Sequence, residues 1–351
     1  MAADAPLILA STLSESGDRL LSVIEAVGGF LAVLLIVFFV AGRATGRLQR
    51  PLTILICLVP AVVLALVGLI IPAINTIVLS FTNAQATGQR YHLVDGKLVP
   101  YTTDYIGFKN YKFAFTDHDT LMTMLRTVLW IAVAPAVIVF IGLMLALLLD
   151  SMKRTSVPKT LIFLPQAISF VGAVVIWKLV YDYQDPGQPQ TGLLSEIVMK
   201  LGWSHPPNWI LSAPLNSFLL MIILVWSQVG FSMVVLGAAL KAIPEDVLEA
   251  ARMDGASGVR LFRTVQIPMI RNTLVVVFTT ATITTLKTFD IVFTYTNGNF
   301  KTDILSVAMY RQLFVTNQTG KGAALAVVLF LCVVPLVWYN LVQLRKDRAV
   351  R

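Results

Sequence analysis

Residues 241–271 read KAIPEDVLEAARMDGASGVRLFRTVQIPMIR and lie between two long apolar runs, 214–240 and 272–290. Pro244 suits the first turn of a helix, where a missing N–H costs nothing, and Glu245 and Asp246 follow at the positive end of the helix dipole. The helix should run to Met253 and reverse at Asp254-Gly255, because glycine accepts a positive φ at a helix end. A second short helix is expected next, with Pro268 marking the approach to the following apolar run. Ala250 and Ala251 give the first helix a small-residue face, and Glu249 sets one charge beside it. Val247, Leu248, Val259, Leu261 and Phe262 supply apolar anchors. The pattern describes a stiff helical elbow raised from a membrane, suited to docking a partner. An amphipathic loop lying in the interface fits the same pattern equally well.

On either side of the elbow the chain is mostly apolar. Of its 351 residues, 57% are hydrophobic and 13% charged, against about 45–50% and about 25% in a soluble domain. That balance excludes a water-soluble globular enzyme, and it excludes disorder, whose signature is low hydrophobicity and high charge. Seven runs are long enough to cross a bilayer: 22–42, 52–81, 127–150, 160–181, 214–240, 272–290 and 321–343. Run 22–42 is not expected to be a cleaved leader, since Arg43, Arg47 and Arg50 follow it and only Arg19 precedes it. Alternating the spans puts 43–51, 151–159, 241–271 and 344–351 on one side, and these short segments hold 15 of the 27 Lys and Arg. The opposite segments are more than twice as long in total and hold nine. Basic residues collect on the cytoplasmic side, so the N-terminus is expected outside, the C-terminus inside and the elbow in the cytoplasm. The net charge of +8 then reflects this topology rather than a nucleic-acid partner. Cys57 and Cys332 both fall in apolar runs, so no disulfide is expected, and the three scattered histidines suggest no metal site.

The sixth run is unusually polar. In TTATITTLKTFD, 279–290, Thr280, Thr284 and Thr288 recur every four residues on one face with Thr285 beside them. Such threonines either bond the carbonyl four residues back or line a path through the membrane. An unpaired charge at mid-bilayer costs about 2.5–3.5 kcal/mol, so Lys287 is expected to pair with Asp290 or to reach the interface; contact with a substrate carboxylate is the minor alternative. Pro60, Pro72, Pro135, Pro165 and Pro335 lie inside the runs and are expected mainly to kink helices for packing, with gating the lesser possibility. The sequence lacks a G-x-x-x-x-G-K-[ST] phosphate loop, so ATP hydrolysis is not expected on this chain.

The run Glu249-Ala250-Ala251-x-x-Asp254-Gly255-Ala256, with Phe262 and Ile267-Pro268 beyond it, resembles the EAA signature of membrane subunits of binding-protein-dependent ABC importers. It is most similar to carbohydrate permeases of the maltose, trehalose and α-glucoside type. Weaker similarity begins near residue 52 and takes in Gly107-Phe-Lys-Asn110-Tyr111, Phe163-Leu164-Pro165, Trp177, Asn208-Trp209 and Gly320–Ala326. Two positions depart from the family: Arg126-Thr127 stands for an Asn-Thr pair, and Asn297-Gly298-Asn299 for a Gly-Gly-Pro turn.

The resemblance implies an all-α polytopic membrane protein of about seven helices: residues 1–51 with an extra helix, and a six-helix importer domain over 52–351. That domain would carry an extracellular loop at 82–126 and the cytoplasmic coupling loop at 241–271. In such a protein the elbow enters a groove on a cytosolic ATPase, with Glu249 facing a basic residue, Gly255 keeping the turn and Phe262 anchoring it. Ala250, Ala251, Asp254, Ala256 and Pro268 would complete the coupling set. Trp226, Gln228 and Phe231, with Thr284, Thr285 and Thr288, match positions that hold sugar. The implied assembly has a second permease subunit, two ATP-binding cassette subunits and an extracellular sugar-binding protein in a bacterial cytoplasmic membrane. ATP and Mg would be bound by the partner ATPase, with no cofactor on this chain, and a di- or oligosaccharide would be the cargo. The alternatives are a polyol or glycerol-phosphate cargo, or a secondary transporter of a small neutral solute. The latter would commonly bury Asp, Glu or His for ion coupling, and the span interiors hold almost none. No acid–base or nucleophile constellation suggests an enzyme.

Overall fold

The computed structural model describes residues 58–85, 91–94, 97–100, 103–150, 152, 155–185 and 187–350, with Gly28, Gly29 and Phe39 as isolated positions. Apart from those three, the expected first span, 22–42, and the basic segment 43–51 lie outside the described residues. The chain divides into two units, Met1–Asn75 and Thr76–Arg351.

In the first unit the described chain is the greater part of helix α1 (Leu58–Ser80), which carries no buried residue before Ser80. A π turn at Leu66–Ile70 comes just before Pro72, whose missing N–H interrupts the regular ladder.

The second unit is nearly all helical. A two-stranded antiparallel hairpin, β1 (Tyr91–Val94) and β2 (Lys97–Pro100), interrupts loop 82–126, where no strand was expected. Short α2 (Lys109–Thr116) leads to α3 (His118–Asp150), which starts nine residues before the apolar run at 127. Asp117 extends it: its Oδ2 accepts the Thr120 N–H at 3.0 Å and the Thr120 hydroxyl at 2.7 Å, satisfying an orphan donor of the first turn. Those bonds, together with nearby Lys321, hold its carboxyl below the usual range.

The span expected over 160–181, with a kink at Pro165, is broken outright. Helices α4 (Ser156–Ala167) and α5 (Phe170–Val180) meet at a bend of 106°. Leu164-Pro165 tightens the end of α4 into a 3₁₀ turn, Ile168 is extended (φ −89°, ψ 135°), and Ser169 opens α5 by accepting the Gly172 N–H at 3.1 Å. Helix α6 (Leu193–Lys200) follows in the next loop, and then α7 (Leu215–Lys241). The elbow is α8 (Glu245–Met253) and the single turn α9 (Gly258–Leu261). Instead of standing apart, α9 continues through a π turn at Phe262–Gln266 into α10 (Ile267–Leu286), again just before a proline, Pro268. Helices α11 (Asp290–Thr296), α12 (Leu305–Tyr310) and α13 (Thr319–Val350) complete the chain.

Among the described residues four helices are long and apolar enough to cross a membrane: α1, α3, α7 and the stretch Gly258–Thr296 taken through its break. The bent pair makes a fifth, and in α13 only the shorter piece Thr319–Pro335 is apolar throughout. The expected count of seven is therefore larger than the described chain displays.

The bundle is built on α3 and α7, which pack along most of their length, with α10 against both. Glycines allow the approach: a Cβ on Gly142 would lie 2.3 Å from Ser232 Oγ, and one on Gly230 would lie 2.5 Å from the Ile162 carbonyl. One buried cluster gathers Trp130, Leu220, Leu224 and Ile291. A second gathers Leu149, Met233, Leu236, Leu240, Ile270 and Val277 beside the elbow. In lipid these clusters gain from close packing rather than from leaving water.

Within the second unit the start of α13 seats against residues 80–84. Gly320 N–H donates to the Ala84 carbonyl at 2.8 Å, and buried Asn110 donates to the carbonyls of Ser80 at 2.9 Å and Thr82 at 2.8 Å. Those bonds give the Gly107–Tyr111 run a structural task.

Candidate functional site

The elbow has a fixed root and a free tip. Ile243 and Leu261 are buried, and Leu248 and Phe262 pack half-buried against the cluster of Leu236, Leu240 and Ile270. Beyond that root, none of the nine residues of α8 is buried, and Met253 is 89% exposed. Pro244 sits immediately before the helix rather than in its first turn, with Glu245 and Asp246 as first-turn acids and Arg252 in the last turn.

The end of α8 closes on itself. Gly255 has φ +84°, its N–H donates to the Arg252 carbonyl at 3.0 Å, and the Ala256 N–H donates to the Ala251 carbonyl at 2.9 Å. This is the paired-bond helix stop that a left-handed residue permits. It fixes the direction in which Glu249, Ala250, Arg252 and Asp254 face solvent, and all four are exposed, while Ala251 and Ala256 are half-buried. Pro268 is exposed at the start of α10.

The polar face is more divided than its spacing suggests. Thr280 is exposed, Thr284 half-buried, and Thr285 and Thr288 are buried at 2% and 1% exposure. Each hydroxyl donates to the carbonyl four residues back: Thr280 to Val276, Thr284 to Thr280, Thr285 to Ala281 and Thr288 to Thr284, at 2.8–2.9 Å. Each oxygen keeps a lone pair that can accept a further bond. Helix α10 ends at Leu286, so Thr288 falls in the break before α11, where its carbonyl takes the Ser306 hydroxyl at 2.9 Å. The same break separates Lys287 from Asp290: both are exposed and they form no ion pair, because the i,i+3 geometry of a continuous helix is lost.

On α7, Trp226, Gln228 and Phe231 are half-buried. Trp226 meets Trp177 of α5 edge-on at 5.8 Å, and Trp177 meets Tyr181 at 5.0 Å. Among the described residues no hydrogen bond or ring contact joins this set to the threonines. Helices α7 and α10 do pack together, so the two sets lie on neighbouring elements.

A second polar group lies at the far end of α3 from the elbow. Arg126 pairs with Asp303, which also accepts the Thr123 hydroxyl at 2.8 Å and lies 4.0 Å from Arg311. Arg311 donates to the Asn297 carbonyl at 3.0 Å, and Thr127 Oγ1 accepts the Leu305 N–H at 2.8 Å. The two departures from the family pattern, Arg126 and the Asn297 turn, are thus joined through Asp303. The left-handed conformations of Asn297, Gly298, Phe300 and Lys301 shape that turn. Asp303 had no signal in the local sequence; its partner Arg126 is 177 residues away.

A model of the family described as binding-protein-dependent transport system inner membrane component matches residues 119–348. The osmoprotective compounds uptake permease protein GgtC of Synechocystis sp. is 41% identical over 292 residues, covering 83% of this chain and 99% of that one. The alpha-glucoside transport system permease protein AglF of Rhizobium meliloti is 44% identical over 239 residues, covering 68% of this chain and 71% of its own. The crystal structure of a bacterial ABC transporter involved in the import of the acidic polysaccharide alginate contains a chain that matches with a TM-score of 0.69 at 17% identity, covering 85% of this chain and 97% of that one. That last likeness is one of fold. The family match spans α3 to α13 and includes the elbow, and on that ground the chain belongs to the binding-protein-dependent transport system inner membrane components, as a membrane transport subunit.

Proposed function

We propose that this chain is a permease subunit of an ATP-driven importer that passes a neutral di- or oligosaccharide across a bacterial cytoplasmic membrane. The observation that carries the reading is α8: a nine-residue helix with no buried residue, on a root anchored in the bundle. Such a helix can enter a partner's groove and transmit movement to α7 and α10, the two helices it joins. Residues 1–51 are read as a separate N-terminal segment and 52–351 as the importer domain, with 82–126 outside and the elbow, 241–271, in the cytoplasm. Glu249 would face a basic residue of a cytosolic ATPase, with Ala250, Ala251, Asp254, Gly255 and Ala256 forming the contact and Phe262 and Pro268 its base. ATP and Mg would be bound by two ATP-binding cassette subunits, and a second permease chain and an extracellular binding protein would complete the assembly.

Trp226, Gln228, Phe231 and the threonine face offer aromatic surfaces, an amide and hydroxyl lone pairs, which suit a neutral sugar's C–H faces and hydroxyls. The cargo in the name of one relative, an alpha-glucoside, agrees with that chemistry. One observation favours a second cargo: Lys287 is exposed and forms no ion pair among the described residues, at the end of the threonine helix. A glycerol-phosphate-type anion would use it, and Lys287→Ala would then abolish uptake that a sugar importer would retain.

The test is purification of the complex from membranes. A separate ATPase should come with the wild-type chain, and Glu249→Lys should insert normally yet lose that ATPase or its stimulation. Uptake at the wild-type rate by Glu249→Lys, or uptake with no ATPase present, would sink the proposal and favour a secondary transporter.

A further inference from the structure

A pocket of about 220 Å³ opens where α3 and α7 end and α4 begins, beside the elbow. Ala146 and Leu149 of α3 and Met233, Val234, Gly237 and Ala238 of α7 make its apolar wall, and Asp150, Lys159 and Lys241 its polar rim. The rim has an excess of positive charge. Lys241 lies 3.9 Å from Asp150, so that one carboxylate is already engaged. Lys159 is half-buried and forms no ion pair among the described residues. Lys153 and Arg154 follow Asp150 closely in the sequence and add to the charge of this segment. Val234 and Ala238 are exposed while Ala146, Leu149 and Met233 are buried, so the slot opens at the bundle surface along α7 and is floored by core residues.

A lysine at the rim of an apolar slot gains from an anion that pairs with its charge and accepts its hydrogen bonds. A slot that is apolar on one side and cationic at its rim, placed at the ends of membrane helices, has the chemistry of a phosphate ester carrying an acyl chain. From this geometry we propose that the pocket holds an anionic phospholipid of the leaflet on the elbow side, with its phosphate on Lys159 and Lys241 and one chain along Gly237 and Ala238. A zwitterionic lipid brings its own ammonium to a rim already rich in lysine and is disfavoured there. Gly237 keeps the slot open: the nearest atom to a Cβ added there is Ala146 Cβ at 3.7 Å, so a larger side chain would project into the lipid's place. The site sits at the last turn of α7, directly before α8, so lipid occupancy would steady the root of the elbow. The inference rests on the membrane setting of the bundle and is independent of the cargo.

The assembled transporter is placed in lipid nanodiscs of phosphatidylcholine with one quarter phosphatidylglycerol, and the lipid retained after mild delipidation is measured by native mass spectrometry. The wild type should keep phosphatidylglycerol saturably. Near a membrane surface one basic residue is worth about fivefold in affinity, so Lys159→Ala should weaken retention about fivefold and Lys159→Glu more, with Lys159→Arg restoring it. Gly237→Leu should also lose the lipid although no charge changes. Equal retention by wild type, Lys159→Glu and Gly237→Leu, all assembled as complexes, would overturn the site. Full displacement by soluble glycerol phosphate would overturn the lipid assignment, since a headgroup alone would then suffice.

Discussion

At the residue scale the threonine face separates into two kinds of position. Thr284 is half-buried and keeps an accepting lone pair, whereas Thr288 is 1% exposed and locked between Thr284 and Ser306. Leucine at the two sites should therefore act differently. Thr284→Leu should impair sugar uptake while basal ATPase and melting temperature stay near wild type. Thr288→Leu overpacks a closed site and should cost about 1–3 kcal/mol of stability, read as a lower melting temperature. Unchanged uptake kinetics in Thr284→Leu would return that residue to packing alone. The i,i+4 spacing was legible in the sequence; the end of α10 at Leu286, which takes Thr288 off the helix, was not. Asp303 makes the same point across a longer distance. Asp303→Asn leaves Arg126 without its charge partner and should lower stability by about 1–3 kcal/mol, with Arg126→Gln in the same chain recovering part of the loss. The family resemblance marked Arg126 as unusual, but its partner comes from a turn whose left-handed residues no periodicity reveals.

At the element scale the elbow was the most legible part of the chain, because each of its devices is local. First-turn acids, a small-residue face and a glycine stop all act within about three turns, and the helix that forms, Glu245–Met253, ends where the glycine signal put it. The broken span was not legible as a break. Pro165 announced a perturbation, but the 106° bend also needs Ile168 extended, Ser169 capping α5 and Gly230 of α7 lying against the Ile162 carbonyl. The π turns before Pro72 and Pro268 show a common response to a missing donor within a helix. Two predictions belong here. Gly255→Ala places a Cβ in the left-handed region at about 1–2 kcal/mol, so α8 should lose hydrogen-exchange protection and uptake should fall, with Gly255→Asn milder. The Asp117 cap has a pH signature. Its carboxyl is held below the ordinary value, so its stabilisation is present above about pH 4 and is lost as the pH falls through the lowered native value. The melting temperature of Asp117→Ala should then lie a constant interval below wild type from neutrality down to mildly acid pH, and the interval should narrow only in strong acid. An interval that widens on acidification would remove the carboxylate from the cap.

At the scale of the whole molecule, charge and apolar surface make one argument about how the bundle lies. Large side chains such as Val128, Phe140 and Leu148 on α3 and Phe330 and Leu331 on α13 are exposed, and water would not tolerate so many together. Lipid or a partner protein must cover them. The sign of the ends follows from where the lysines and arginines fall: the elbow and the 151–159 segment are rich in them, while the loop at 182–213 holds one. Two exposed residues on opposite ends report the orientation directly. Val259 of the elbow is 71% exposed, and Leu201, just after α6, is 76% exposed. With Cys57 and Cys332 replaced by serine, a cysteine at 259 should react with a membrane-impermeant maleimide only after the cells are opened. A cysteine at 201 should react in intact cells. The opposite pattern would place the elbow on the side away from the cytoplasm, and with it the coupling role proposed for Glu249 would fall, whatever the cargo. The fold would survive that result, because the packing of α3, α7 and α10 is indifferent to which leaflet each end meets, whereas the distribution of basic residues is not.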